Sequence, residues 1–410
     1  MLRVGWETGM IYRRPAIIGV GRTAFGEHYE WDPERLMEEA GLKALDSGGV
    51  SRKDLDACFF SDYFLQLTNK IGIEEGFLSE LLEVNIPMEK ARSFSAALSS
   101  ACLAIMAGHY NMVLVGGVEK MCDRWSKIRD DLMLLEDPWS YYAGGTPEAN
   151  HELMLREYIK RYNIDGEKRD MLNTALAYIA VKNHRNAINN EYAQFRTELS
   201  EKRVIQDRMA KGRLMGRYDF APISDGATAL ILTSSEMAKD FSGEGVEVLS
   251  FHSATDYITF SSRKDRTGFT AAKIAMDKSL RRADIKREEI EIIETYDQST
   301  LMEMVTLEDL RFFKKGEGWE RIYESYNEKL PYYIVGGKPL YVNSDGGLKA
   351  DGNPLGATGG AQIYEVYIQL QGRAGNRQIK FESDRPVGCT LELEGFGTKA
   401  YVTLFRRLEY

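Results

Sequence analysis

The chain is poor in the side chains that most enzymes use for covalent or metal chemistry. Its 410 residues include only four cysteines and five histidines. Cys58, Cys102, Cys122 and Cys389 are scattered without pair spacing, which excludes a disulfide framework and fits reduced, buried thiols. His28, His109, His151, His184 and His252 make no metal-ligand pattern with them, so no metal site is expected. No apolar run is long enough to span a bilayer, and no membrane partner is expected. The Met1-Leu2-Arg3-Val4 start has no signal-peptide pattern, which makes a cytoplasmic location the default expectation. A net charge of −9 argues against nucleic acid as the main partner.

What is present is an ordinary globular composition, 43% apolar and 28% charged, in a chain long enough for more than one core. Pro15 to Gly21 reads as a buried strand, residues 34–46 as an amphipathic helix stopped by Gly48-Gly49, and Leu55 to Phe60 as a second strand. Residues 95–107 are small and apolar all round, which predicts a helix buried on every side; Met112 to Gly117 follows as a central strand. Strands alternating with helices imply a mostly parallel sheet covered on both faces. The second half echoes the first. Gly49 to Asp56 resembles Asp284 to Glu291, and the helix and strand at 98–117 resemble 357–381, with Gln378 to Phe381 as the expected strand; together these favour internal duplication. Between the halves, 120–215 is charged and aromatic, with helices expected at 148–162 and 168–188. It ends in a basic run (Arg196, Lys202, Arg203, Arg208, Lys211, Arg213, Arg217) that reads first as a solvated face and second as an attractor of polyphosphate.

Several motifs give this pattern a family. Asn343-Ser344-Asp345-Gly346-Gly347 followed by Gly352-Asn353-Pro354-Leu355-Gly356-Ala357-Thr358-Gly359 resembles the thiolase signature, with Asn353 where the signature has His. Ser224-Asp225-Gly226-Ala227-Thr228-Ala229, Gly116-Gly117-Val118-Glu119-Lys120-Met121 and Lys182 to Ala187 also resemble thiolase segments, the last from the lid of sterol-carrier-protein-type and archaeal members. The resemblance implies an α/β thiolase fold: a duplicated five-layer αβαβα core with an inserted helical loop domain. It assigns 1–120 plus 216–245 to the N-terminal half, 121–215 to the lid and 246–410 to the C-terminal half. It further implies a homodimer, coenzyme A or an acyl-CoA as ligand, and a zinc-ribbon/OB-fold partner protein.

Thiolase chemistry needs a Cys at a helix N-terminus to take the acyl group, a His to activate it, and donors for the second thioester's oxyanion. Counting back from Gly108, the resemblance places Ala91 at the nucleophile position, followed by Arg92-Ser93-Phe94. An alanine cannot hold an acyl group. Cys102 lies about three helical turns on, roughly 16 Å away; Ser93 is the rescue candidate, and Phe94, where the family has Gly, crowds the acyl pocket. Tyr296-Asp297 stands where this branch has His-Asp, and Gln298 where it often has a Cys. Asn353 has no titratable nitrogen with which to activate a thiol. In Gly395-Phe396-Gly397 the preceding Cys of many thiolases is matched by Leu391, and Cys389, two residues earlier, is expected on the same strand face. Tyr296 and Asn353 are therefore the candidate catalytic positions. Ser250, Asn343, Gly395 and Gly397 are those that the resemblance assigns to the coenzyme A groove. The expectation is a thiolase-like protein without acyl transfer, serving as a scaffold or acyl-CoA-binding subunit. The alternatives are a retro-aldol lyase acting on a β-hydroxyacyl-CoA through Tyr296, and a functioning acetyl-CoA acetyltransferase.

Overall fold

The computed structural model describes residues 13–124, 126–241 and 245–409; the Met1–Val4 start lies outside them. Eleven strands form one sheet: β1 (Pro15–Arg22), β2 (Ala57–Ser61), β3 (Met88–Ala91), β4 (Val113–Lys120), β5 (Asp225–Ser234), β6 (Val246–Thr255), β7 (Ile290–Glu294), β8 (Tyr333–Val335), β9 (Lys338–Val342), β10 (Val387–Glu394) and β11 (Lys399–Arg407). Their order is β3-β2-β4-β5-β1-β6-β11-β10-β7-β9-β8. Read outward from the β1–β6 seam, the first five strands of each half match, and β8 extends the second half by one. β2 lies parallel to β3 and β4, and β7 parallel to β9 and β10. β5 is antiparallel to β4 and β1, and β11 to β10 and β6.

Helix α1 (Pro33–Gly48) packs outside the first half, over a core that includes Leu36, Ala44, Leu114 and Ile231. Helix α2 (Phe94–Met106) and a counterpart introduced below, α8 (Leu355–Leu370), lie between the two halves, sharing a core of Leu98, Ile105, Val115, Leu230, Ile363 and Phe405. The lid contributes α3 (Ala149–Arg161), α4 (Gly166–Ala187) and α5 (Glu201–Ala210). The second half is covered by α6 (Thr270–Ala283) and α7 (Thr300–Asp309). The layers therefore run helix, sheet, helix, sheet, helix.

The repeat extends to the turns. α1 ends at Gly49 in the left-handed region (φ 63) and α6 at Asp284 (φ 57), and each is followed by a 3-10 turn closed by an acid on the backbone, Asp54 to Ser51 N–H and Glu289 to Lys286 N–H. Three expectations fail. The sheet is mixed rather than mostly parallel, since β4, β5, β1, β6, β11 and β10 are joined by antiparallel pairing. No strand forms at 378–381: the Gln369 side chain accepts from Ile379 N–H (2.9 Å) and Gln378 donates to Gln369 O (3.0 Å), tying that segment to the end of α8. The strand parallel to β7 begins only after Pro386. Nor is α2 buried on every side. Ser100 and Leu103 face outward, Leu103 being 58% exposed, because only one stripe of the helix meets the central layer. Among the described residues no helix is long and apolar enough to cross a membrane.

Candidate functional site

The site lies at the N-terminal tip of α2, where the ends of β7 and β10 and the start of α8 converge. Ala91 ends β3, and Ser93 is the N-cap of α2 in extended conformation. The first helical N–H groups have no intrahelical acceptor and attract negative charge. Here a carboxylate of the chain itself takes them: Glu392 accepts from Ser95 N–H at 2.7 Å and from Phe94 N–H at 3.3 Å. Ser93 Oγ does not cap the helix and instead donates to Glu394 Oε1 (2.7 Å), which also accepts from the Tyr401 hydroxyl (3.0 Å). Arg92, mostly exposed, stands 3.7 Å from the same carboxylate. Burial pushes the Glu392 carboxyl up to about 7, with Glu394 adding repulsion and the Ser95 and Phe94 bonds opposing.

Strand alternation decides which β10 residues reach this tip. Val387, Cys389, Leu391 and Leu393 point into the outer core, whereas Glu392 and Glu394 point toward the helix tip. Cys389 and Leu391 thus share a face as expected, but that face is turned away from α2. The other thiols are buried too, Cys102 among Leu98, Ile105 and Val115. Glu392 and Glu394 escaped the motif comparison. The signal was present in Val387-Gly388-Cys389-Thr390-Leu391-Glu392-Leu393-Glu394, where two acids interrupt a buried strand at period two.

Phe94 is fully buried, and three glycines make room for its ring. A Cβ on Gly117, Gly359 or Gly360 would lie 2.7, 2.9 and 2.6 Å from Phe94 atoms. The aromatic group therefore fills the floor between α2 and α8, as the sequence implied.

Tyr296 follows β7. Burial, then Glu392, Glu394 and Glu119, raise its pKa, and the neighbouring Asn353 side chain opposes the rise. Asn353 is fixed on two sides, its N–H donating to Ser224 Oγ (2.9 Å) and its Oδ1 accepting from Thr358 Oγ1 (2.8 Å), with Tyr296 near its side chain. The structure thus brings Tyr296, Asn353 and Ser93 to one locality with Glu392 and Glu394. Asp297, next to Tyr296, accepts from Leu348 N–H (2.7 Å) and Asn183 (2.7 Å), locking the 343–351 loop. Gln298 uses its carbonyl to accept from Ala221 N–H (2.9 Å).

The Gly116–Met121 and Ser224–Ala229 motifs brace this arrangement. Glu119 accepts from the N–H groups of Tyr63, Phe64 and Gly356 (3.0, 2.9 and 3.1 Å), joining β4 to the start of α8; burial lifts its carboxyl to about 8. Asp225 accepts from Lys120 Nζ (2.9 Å) and from the N–H groups of Met121 and Cys122 (2.7 and 2.9 Å).

Positions assigned to a coenzyme A groove are largely engaged within the protein. Asn343 Oδ1 accepts from Thr295 N–H (2.8 Å) and its Nδ2 donates to Glu303 (2.8 Å) and Thr295 Oγ1 (3.1 Å). Ser250 donates to Ser279 O of α6 (3.0 Å). Gly395 and Gly397 have φ of 59 and 67, and a Cβ would strike Leu135 O of the lid and the Phe269 ring respectively. Arg208 is buried and paired with Asp219 (2.8 Å through Nε), and Arg217 and Lys211 flank Asp207, which reduces the free charge of the basic run. Of the histidines, His151 packs edge-on against Phe396 and shares a 2.8 Å hydrogen bond with Ser299; burial lowers its pKa to about 3, so it is neutral.

Comparison with known proteins gives the same frame. Residues 15–213 match the family profile for the thiolase N-terminal domain, and 253–407 the profile described as thiolase C-terminal domain-like. An acetyl-CoA acetyltransferase of Methanothermobacter thermautotrophicus is 32% identical over 404 residues, covering 96% of this chain and 100% of that protein. Human sterol carrier protein 2 is 28% identical over 431 residues, covering 98% of this chain and 73% of that protein. Among solved structures, an Ltp2-ChsH2(DUF35) aldolase superposes with a TM-score of 0.77 at 19% identity, covering 96% of this chain and 98% of that one. Human mitochondrial 3-ketoacyl-CoA thiolase superposes at 0.68 with 16% identity, covering 97% and 99%.

Proposed function

The chain belongs to the thiolase superfamily, and on that premise we propose that it has lost acyl transfer and serves as a dimeric subunit that binds a coenzyme A thioester. One observation carries this reading. The helix-tip N–H groups that would stabilise a thiolate or an oxyanion are held by the Glu392 carboxylate. An incoming thioester oxygen would have to displace that carboxylate. Ala91 at the nucleophile position and Asn353 in place of the activating His point the same way. The homodimer part of the proposal is supported by the outward apolar face of α2 beside the edge strand β3, with Leu103 exposed. A zinc-ribbon/OB-fold partner and a cytoplasmic location belong to the same proposal; the aldolase neighbour is itself an Ltp2-ChsH2 assembly. Calorimetric titration of the purified protein with coenzyme A and acetyl-CoA, alongside an acetoacetyl-CoA thiolysis assay, tests it. Binding without turnover is expected; thiolysis that disappears on changing Tyr296 or Ser93 defeats the proposal.

A second reading, a retro-aldol lyase, is favoured by the Tyr296 environment. A buried phenol held protonated can donate to a developing enolate oxygen, while one of the carboxylates beside it takes a proton. On a β-hydroxyacyl-CoA, a base would take the hydroxyl proton and the Cα–Cβ bond would break. A carbonyl compound would leave, and the thioester enolate would take a proton. This step needs no covalent nucleophile. Cleavage activity unaffected by Tyr296→Phe removes this reading.

A further inference from the structure

Behind the loops that carry Tyr296 and Asn353 lies a cavity of about 10 Å³, lined by Glu294, Thr295, Asp345, Asp351, Thr358 and Gln362 among others. That is room for the centre of one water-sized particle. Two fully buried acceptors on this wall have no hydrogen-bond partner among the described residues, Glu294 Oε2 and Gln362 Oε1. The Gln362 amide is fixed, because its Nε2 donates to Leu391 O (3.0 Å) and Glu294 O (3.4 Å). Glu294 is fixed by Ser344, whose N–H and Oγ donate to the other carboxylate oxygen (2.9 and 2.8 Å). Two buried acceptors without partners, on residues that line one small space, leave a demand for a donor or a positive charge.

The charge around the cavity is unbalanced in the same sense. Asp351 pairs with Arg22 at 2.7 Å and Glu365 with Arg377 at 2.5 Å. Glu294 and Asp345 form no ion pair among the described residues, although both are buried. Burial, then repulsion from Asp351 and Glu365, pushes the Asp345 carboxyl up to about 7, and burial with Asp345 and Glu365 pushes the Glu294 carboxyl well above its ordinary range, so a cation and a proton compete for the same groups. No group of three or more His, Cys, Asp or Glu among the described residues is arranged as a metal centre. Without such a centre the candidate is an ion of single charge, which one unpaired carboxylate is enough to balance.

We propose that this cavity binds one monovalent cation, sodium or potassium, held by Glu294, Gln362 and their neighbours. Thr295 adjoins Tyr296, and Thr358 donates to Asn353, so the ion fixes the two loops relative to each other. The test is thermal unfolding of the full-length protein at constant ionic strength, with sodium or potassium chloride replacing choline chloride. A saturable rise of the midpoint is expected, about 3 °C at a hundredfold excess over half-saturation for a chain of this length. Whichever of the two salts acts at lower concentration identifies the ion. Glu294→Gln places an amide N–H opposite Gln362 Oε1 and removes one negative charge, so the rise should vanish in that variant. Midpoints equal in choline and alkali salts, as a bound water would give, overturn the proposal, and so does cation dependence that survives Glu294→Gln. If that variant does not fold, the wild-type comparison with choline decides alone.

Discussion

Replacing Glu392 by glutamine probes the α2 tip through stability. Two effects compete at this carboxylate. The helix tip favours negative charge by up to about 2 kcal/mol in partly buried geometries, whereas burial disfavours it. Burial wins: the carboxyl moves from its ordinary 4.5 to about 7, which costs the ionised form on the order of 3 kcal/mol. Between those values the folded protein binds more protons than the unfolded chain, so this group's contribution to stability falls as pH rises from 4.5 to 7 and is flat above. Glutamine has the shape of the protonated acid and still offers one acceptor to Ser95 N–H, but cannot ionise. Glu392→Gln should therefore be about 3 kcal/mol more stable than wild type at pH 8 and nearly equal to it at pH 4.5. For 410 residues that corresponds to a midpoint roughly 3–4 °C higher at pH 8. Calorimetric melts at the two pH values give the answer. A variant that is less stable at pH 8, or that keeps the wild-type pH slope, would show that the helix tip outweighs burial and would refute this reasoning.

Other outcomes follow from the same structure. The whole protein should lose stability from pH 6.5 to 8, because Glu119 (about 8), Glu136 and Asp345 (about 7) are also raised by burial and bind protons in the folded state; the buried histidines His151 and His184, lowered to about 3 and 4, oppose this only below their ordinary 6.5. A melting midpoint that climbs across that window contradicts these assignments. Phe94→Gly should cost about 4 kcal/mol or more from the cavity it leaves, while strengthening coenzyme A binding in calorimetry. Unchanged affinity would mean that the ring does not block the groove. Arg208→Ala strands the buried Asp219 carboxylate and should cost about 3–5 kcal/mol in denaturant titration; a cost below 1 kcal/mol would place the pair effectively in solvent. Tyr296→Phe should leave coenzyme A affinity within about twofold, since it removes one buried hydroxyl and keeps the ring in place.

Motif spacing placed Tyr296, Asn353 and Ser93 near one another because loops that end adjacent strands in a duplicated sheet converge at the same edge. It also located Phe94 in the floor, since a ring at the start of a central helix has nowhere else to go. Counting from Gly395 put Leu391 where many thiolases carry a Cys, with Cys389 on the same strand face. Parity along β10 sends them the other way, and a comparison built on which residue is a cysteine gave no weight to the acids beside them. The expected strand at 378–381 failed for a related reason. A short apolar-charged run reads as a strand in isolation, but Gln369 and Gln378 satisfy its backbone against the end of α8.

The amino-acid order alone determined the family and the duplicated layers, because these depend on residue identity and local periodicity. Tertiary structure decided what occupies the helix tip, which groove positions are already bonded inside the protein, and where two carboxylates share a cavity without a counterion. Such facts depend on which faces of distant segments meet, and β10, α2 and α8 are brought together only when the sheet closes around the central helices.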